Sequence, residues 1–275
     1  MTAEIDYEAE YNNRARVPDH PALIAGWARD AQAYRASRPN LFDTISYGPG
    51  ARNTIDVFPS RSEGAIVVFI HGGYWQALDG SFFSHLAAGL NTHGISVAIP
   101  SYDLCPQVSV DDIIAQMRMA ARALARLGRC LVVSGHSAGG HLAACLMATD
   151  WRSIDAALPE DIVKAAYTIS GLFDLGPLVR TSVNAALGLD RAGAKRASPL
   201  FWPVPSGGSL DAVVGADESA EYFRQSRTIA DTWRRGGIET RFAEVPGANH
   251  FTAIAPLADP RSPMTLRLLE LALHR

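Results

Sequence analysis

Leu131-Val132-Val133-Ser134-Gly135-His136-Ser137-Ala138-Gly139-Gly140-His141 reads as a strand that ends in a sharp turn and becomes a helix. The run before Gly135 is apolar and β-branched, and an Ala/Leu-rich stretch to Ala148 follows Ser137. Between them lies Gly-x-Ser-x-Gly, a pattern that carries chemistry only in this strand–turn–helix setting. Small residues two before and two after the serine let strand and helix approach without a Cβ clash, while the serine itself is held in strained geometry. Its hydroxyl then stands clear of the sheet. The following helix start offers the Ala138 N–H and a favourable dipole to a developing oxyanion. Ser137 is the candidate nucleophile.

Outward from this turn, strands and helices alternate. The apolar run Ala65–Ile70 has the character of a central parallel strand buried on both faces. Strands are expected at 96–100, 165–170, 212–215 and 240–245, with helices at 81–92, 110–127, 221–235 and 264–273. Phe42–Tyr47 and Asn53–Phe58 flank Gly48-Pro49-Gly50 and read as an antiparallel hairpin. Tyr7 to Ser37 reads as helix with a break at Val17-Pro18-Asp19. That lead-in either covers an active-site mouth or packs on a sheet edge. The region 171–205 lacks a clean strand and is expected to form short helices as a small cap. The reading is one α/β domain over 1–275, with a doubly wound, mostly parallel sheet, antiparallel N-terminal strands and helical cover over the site.

Composition limits the function classes. The chain has 275 residues, 48% hydrophobic and 19% charged, with a formal net charge of −3. These are ordinary globular values, and they give no electrostatic case for nucleic acid or an anionic membrane. Arg14, Arg16, Arg118, Arg122 and Arg126 are spread along the chain with acids nearby, as on a solvated surface. The start, MTAEIDYEAEYNN, lacks the basic and apolar regions of a signal peptide, and no apolar run is long enough to span a bilayer. Cys105, Cys130 and Cys145 are an odd count without a C-x-x-C, which favours reduced thiols in a cytoplasmic setting over a zinc site. The expected partner is a small-molecule substrate, with a second copy of the chain as a possible companion. No cofactor or metal is expected.

In open α/β sheets, reactive groups gather at the carboxyl ends of the strands. Three strand ends carry useful side chains: Ser137, Asp217 after Val213-Val214-Gly215-Ala216, and His250 in Pro246-Gly247-Ala248-Asn249-His250-Phe251. A serine needs an imidazole to take its proton and a carboxylate to fix that imidazole's tautomer. Asp217 is preferred for the carboxylate. Asp211 is read as preceding its strand, and the adjacent Glu218 as pointing elsewhere. A further element, His71-Gly72-Gly73-Tyr74-Trp75, ends the first buried strand. Its glycines let the Gly73 and Tyr74 amides join that of Ala138 around an oxyanion. His71 is read as organising the loop rather than as a base. Trp75, His136 and Phe251 are candidates for the pocket wall, as are, less specifically, Phe82, Phe83, Phe173, Phe201 and Trp202.

With these residues placed, the chain resembles the kynurenine formamidase (arylformamidase) branch of the α/β-hydrolase esterases. The resemblance rests on H-G-G-x-W at His71–Trp75, on Gly135–Gly139, on Val214–Ser219 and on Asn249-His250-Phe251. Tyr11-Asn12-Asn13-Arg14 and Tyr102–Pro106 add to it, so it spans nearly the whole chain. It implies an α/β-hydrolase fold with the triad Ser137, Asp217 and His250. It also implies metal-free hydrolysis of the formamide of N-formyl-kynurenine. A carboxylesterase on short acyl esters, or a hydrolase of another small amide, shares the same triad. A non-catalytic binding module on this fold would typically have lost a triad member.

Overall fold

The computed structural model describes residues 4–39, 41–61 and 64–274. Residues 1–3, which begin the stretch read for a leader, and residue 40, the end of the N-terminal segment 1–40 whose helix is read over Tyr7 to Ser37, lie outside them. Eight strands form one sheet: β1 (Asp43–Ser46), β2 (Thr54–Phe58), β3 (Ile66–Ile70), β4 (Val97–Pro100), β5 (Leu131–His136), β6 (Val163–Ile169), β7 (Ser209–Gly215) and β8 (Glu239–Val245). Their order is β1-β2-β4-β3-β5-β6-β7-β8. The β1–β2 and β2–β4 pairs are antiparallel and the rest parallel, as the hairpin and the buried apolar runs imply.

Every residue of β3, β4 and β5 is buried, because helices cover both faces. Alternation sorts the side chains. Ile66, Val68 and Ile70 enter a core beneath α5 (Val110–Ala125), α6 (Ala138–Met147) and α10 (Ala220–Arg235). Val67 and Phe69 enter a second core under α3 (His20–Ala36), α4 (Ala87–Thr92) and α11 (Pro263–Leu273). The amphipathic α5 buries Val110, Ile113, Ile114, Met117, Ala121 and Leu124 at helical spacing. Its start is fixed by a reciprocal cap, in which Ser109 Oγ accepts from the Asp112 N–H and Asp112 Oδ2 accepts from the Ser109 N–H. By contrast α6 is buried all round, as a central helix leaving the Ser137 elbow must be.

The helical lead-in breaks into α1 (Tyr7–Tyr11), α2 (Asn13–Arg16) and α3. Asn12 caps α2 through its side-chain oxygen, 3.1 Å from the Ala15 nitrogen. The helix expected over 81–92 begins as a 3-10 segment, Gly80–Leu86, before α4. Region 171–205 holds α8 (Asn184–Leu187), α9 (Arg191–Arg196) and short 3-10 turns, while α7 (Trp151–Ile154) precedes β6. One boundary matters for the site. β7 starts at Ser209, so Asp211 lies within the strand rather than before it. There it is buried and bridged by Arg267 at 3.0 and 3.1 Å. Among the described residues no helix is long and apolar enough to cross a membrane.

Candidate active site

Ser137 has φ 56° and ψ −118°, a conformation that non-glycine residues rarely hold. The surrounding chain enforces it. The Ser137 N–H donates to Ile169 O on β6 at 2.8 Å, and the His141 N–H returns to Ser137 O at 3.1 Å to start α6. A Cβ on Gly135 would strike the Gly139 carbonyl, and one on Gly139 would strike the Ile70 carbonyl on β3. Both glycines are therefore required by close approach.

His250 lies in the loop after β8 and is buried. Its Nδ1 is 2.7 Å from Glu218 Oε2, and both side chains are almost fully enclosed. The carboxylate at the imidazole is thus that of Glu218, and the assignment to Asp217 is corrected. Residues 215–218 form a turn closed by the Glu218 N–H on Gly215 O at 3.1 Å. The turn folds the Glu218 side chain back across the end of β7, where Oε1 accepts from the Gly215 N–H at 2.7 Å and from the Ser170 hydroxyl. Asp217, at the turn's outer corner, is exposed, and its backbone N–H donates to Ala248 O.

The His71–Trp75 segment leaves β3 in an unusual path. Gly73, Tyr74 and Trp75 have φ values of 109°, 52° and 57°. Among the described residues, the N–H groups of Gly73, Tyr74 and Ala138 donate to no protein acceptor. Gly73 and Tyr74 line a cavity of about 320 Å³ together with Ser137 and His250. His71 is buried, stacks on Tyr102 at 4.1 Å, and accepts the Tyr102 hydroxyl on its carbonyl at 2.9 Å. Burial pushes its pKa down to about 4, so it stays neutral. Trp75 is not a pocket wall: it is fully buried, edge-on to His141 at 5.0 Å.

His136 and Phe251 do line the cavity. Burial, reinforced by the neighbouring His250, pushes the His136 pKa well down. A neutral His136 has one N–H, and its Nε2 sits 2.8 Å from the His250 carbonyl, so it donates there and braces the histidine loop. Tyr74 lines the cavity as well, whereas Phe82, Phe83, Phe173, Phe201 and Trp202 do not. The other large wall is Trp27 on α3, 6.0 Å from Phe251 and edge-on to His136. Asn12, Asn13, Arg14 and Ile24 complete that side, so the lead-in is part of the site.

A hydrogen-bond network ties α1 and α2 to the Gly73–Tyr74 turn. The Tyr74 hydroxyl donates to Tyr11 O at 2.5 Å and meets the Tyr222 hydroxyl at 2.7 Å. Asn13 Nδ2 donates to Tyr222 at 2.7 Å, and Tyr11 donates to Glu221 at 2.7 Å. The Tyr222 ring also lies 4.7 Å from the His250 ring. Among the described residues no cluster of His, Cys, Asp or Glu is arranged to hold a metal ion.

A strained serine at a strand–helix elbow, with a buried His–Glu pair at two further strand ends, defines a hydrolase of the α/β class. Residues 67–271 match the Alpha/beta hydrolase family, to which the chain belongs. Within it the chain is a kynurenine formamidase-like member. It is 32% identical to the kynurenine formamidase of Danio rerio, covering 91% of this chain and 88% of that one. It is 31% identical to the kynurenine formamidase of Drosophila melanogaster, over 78% and 76% of the two chains. A solved structure from Silicibacter sp., described as a candidate thioesterase, superposes with a TM-score of 0.85 at 33% identity, covering 96% of this chain and 98% of that one.

Proposed function

We propose that the chain hydrolyses N-formyl-L-kynurenine to kynurenine and formate. Ser137 Oγ attacks the formyl carbon while His250 accepts its proton, and Glu218 holds the imidazole tautomer and stabilises the imidazolium. The oxyanion is received by the amides of Gly73, Tyr74 and Ala138. Collapse breaks the C–N bond, and His250 returns the proton to the departing arylamine. Water, activated by the same histidine, then cleaves the formyl-serine ester and releases formate.

The observation that carries this reading is the cavity itself. About 320 Å³ in volume, it is lined by Ser137 and His250 together with Trp27 and Phe251, in a chain 32% identical to a kynurenine formamidase. Aromatic walls suit a planar aryl leaving group, and the volume suits one small substrate. The reading includes a cytoplasmic location, which the free thiols at Cys105, Cys130 and Cys145 support.

Likeness to the Silicibacter protein favours a second reading, hydrolysis of a short acyl ester or thioester by the same machinery. Turnover of N-formyl-L-kynurenine, phenyl acetate and acetyl-thiocholine by purified protein, with Ser137→Ala as control, decides between them. A kcat/KM on the formamide at least tenfold above the others, lost in the variant, is expected. Turnover of esters alone would overturn the formamide assignment.

A further inference from the structure

Among the described residues the cavity lining contains no Asp or Glu, and its one permanently charged residue is Arg14. Among the described residues Arg14 forms no ion pair or hydrogen bond, whereas most arginines of the chain are engaged in one. Its backbone is nevertheless held firmly. The neighbouring Asn13 is buried against Tyr222, and Asn12 caps the short α2 on which Arg14 sits. The guanidinium thus extends from an anchored base at the cavity mouth.

Neither Glu8 nor Glu218 lines the cavity or pairs with Arg14. Glu8 lies behind the rim, where the Asn12 amide, the Ser182 N–H and the Ser182 hydroxyl occupy it at 2.8, 2.7 and 2.8 Å. Glu218 is enclosed behind His250. Trp27 and Phe251 line the same cavity as Arg14 and Ser137. A ligand that fills this space has a small acyl group at the serine, a flat ring along the aromatic faces and an anion at the mouth.

We propose that Arg14 is the specificity residue of this site, binding a carboxylate on the substrate's leaving group, so that anionic aryl amides and esters are selected over neutral ones. The proposal rests on Ser137 as the nucleophile and deepens the reading above. A planar guanidinium pairs two N–H groups with two carboxylate oxygens, fixing orientation as well as adding affinity. The interaction lies at the mouth, before the reacting atoms, so it acts mainly on KM.

The test uses two substrate pairs that differ by a carboxylate: ortho-formamidobenzoyl-propionate with ortho-formamidobutyrophenone, and meta-acetoxybenzoate with phenyl acetate. For each pair the ratio of kcat/KM, carboxylated over neutral, is measured in the wild type, Arg14→Gln and Arg14→Lys. The expected result is a wild-type ratio above one that falls about tenfold in Arg14→Gln, mainly through KM, and less in Arg14→Lys. Added salt should lower the wild-type ratio as well. The formamide pair decides if formamides are hydrolysed. If they are not, the formamide reading fails, and the ester pair alone decides the role of Arg14. An unchanged ratio in the deciding pair, including equal loss on both of its members, overturns the proposal.

Discussion

Glu218 Oε2 and His250 Nδ1 lie 2.7 Å apart in a setting from which water is almost wholly excluded. A charge-assisted hydrogen bond of this kind is strengthened by the low surrounding dielectric and fixes the proton on Nδ1, leaving Nε2 free to serve the serine.

Glu218→Gln is therefore expected to lower kcat by about three orders of magnitude or more, by favouring the wrong imidazole tautomer. Asp217→Asn, at the exposed corner of the same turn, should stay within about twofold of wild type. Steady-state kinetics on whichever acyl substrate is turned over checks both. The reverse ranking would move the triad carboxylate back to Asp217.

The Tyr74–Tyr222–Asn13 network predicts a split between kcat and stability. Tyr222→Phe keeps the ring beside His250 but leaves the Asn13 amide and the Tyr74 hydroxyl short of a partner. A buried donor left unpaired costs about 1–3 kcal/mol. Here part of that cost should appear as a looser Gly73–Tyr74 turn. A roughly tenfold loss in kcat is expected, with little change in KM and a native circular dichroism spectrum. An undiminished kcat would show that the network holds the fold but not the oxyanion donors.

Acid should weaken the fold before it protonates most carboxylates. His71 and His141 are buried with pKa values pushed down to about 4, against 6.5 when unperturbed. Between those values the unfolded chain binds protons that the native chain refuses, so stability is full above about pH 6.5 and falls as pH drops toward 4. At about 1.36 kcal/mol per pH unit, each histidine removes roughly 2 kcal/mol by pH 5. His136, shifted the same way, adds to the loss. Urea unfolding at pH 7 and pH 5 should show the drop. His141→Gln, which can still donate to Ala197 O, should make it smaller. An equally steep loss in that variant would assign the acid sensitivity elsewhere.

At the opposite end of the sheet, Asp211 is 2% exposed and held by two hydrogen bonds from Arg267. Removing the cation strands a buried carboxylate, which costs about 3 kcal/mol. Arg267→Leu should lower the unfolding free energy by about that amount while leaving KM unaltered. Asp211→Asn combined with Arg267→Leu should recover part of it. An undiminished stability in the single variant would show that Asp211 finds another partner or takes up a proton.

The meeting of Ser137 and His250, the proposed nucleophile and base, at one cavity was legible because each follows a strong strand signal in a turn whose residue types have few alternatives. The carboxylate that meets His250 was legible only as one of two adjacent acids. Choosing between Asp217 and Glu218 depends on how the 215–218 turn folds back on β7, and a strand alternation that ends at Gly215 does not encode that. The start of β7 was placed too late because Ser209 and Asp211 break the apolar run, and it is Arg267, far along the chain, that makes a buried Asp211 tolerable. Trp27 and Arg14 were invisible as site residues for a related reason. Their roles come from where α2 and α3 dock, which the Tyr11, Asn13 and Tyr222 contacts decide.

The hydroxyl of Tyr11 reaches Glu221 and Gln225, partners more than 200 positions later in the chain. During synthesis the elbow strand and helix leave the ribosome long before Glu218, Tyr222 or His250 have been translated. A nascent chain can therefore carry Ser137 in a finished elbow with no base to activate it and no anchor for Tyr74. On the proposed roles, the order of translation leaves Ser137 without His250 until the last strand, β8, and the histidine loop beyond it have emerged.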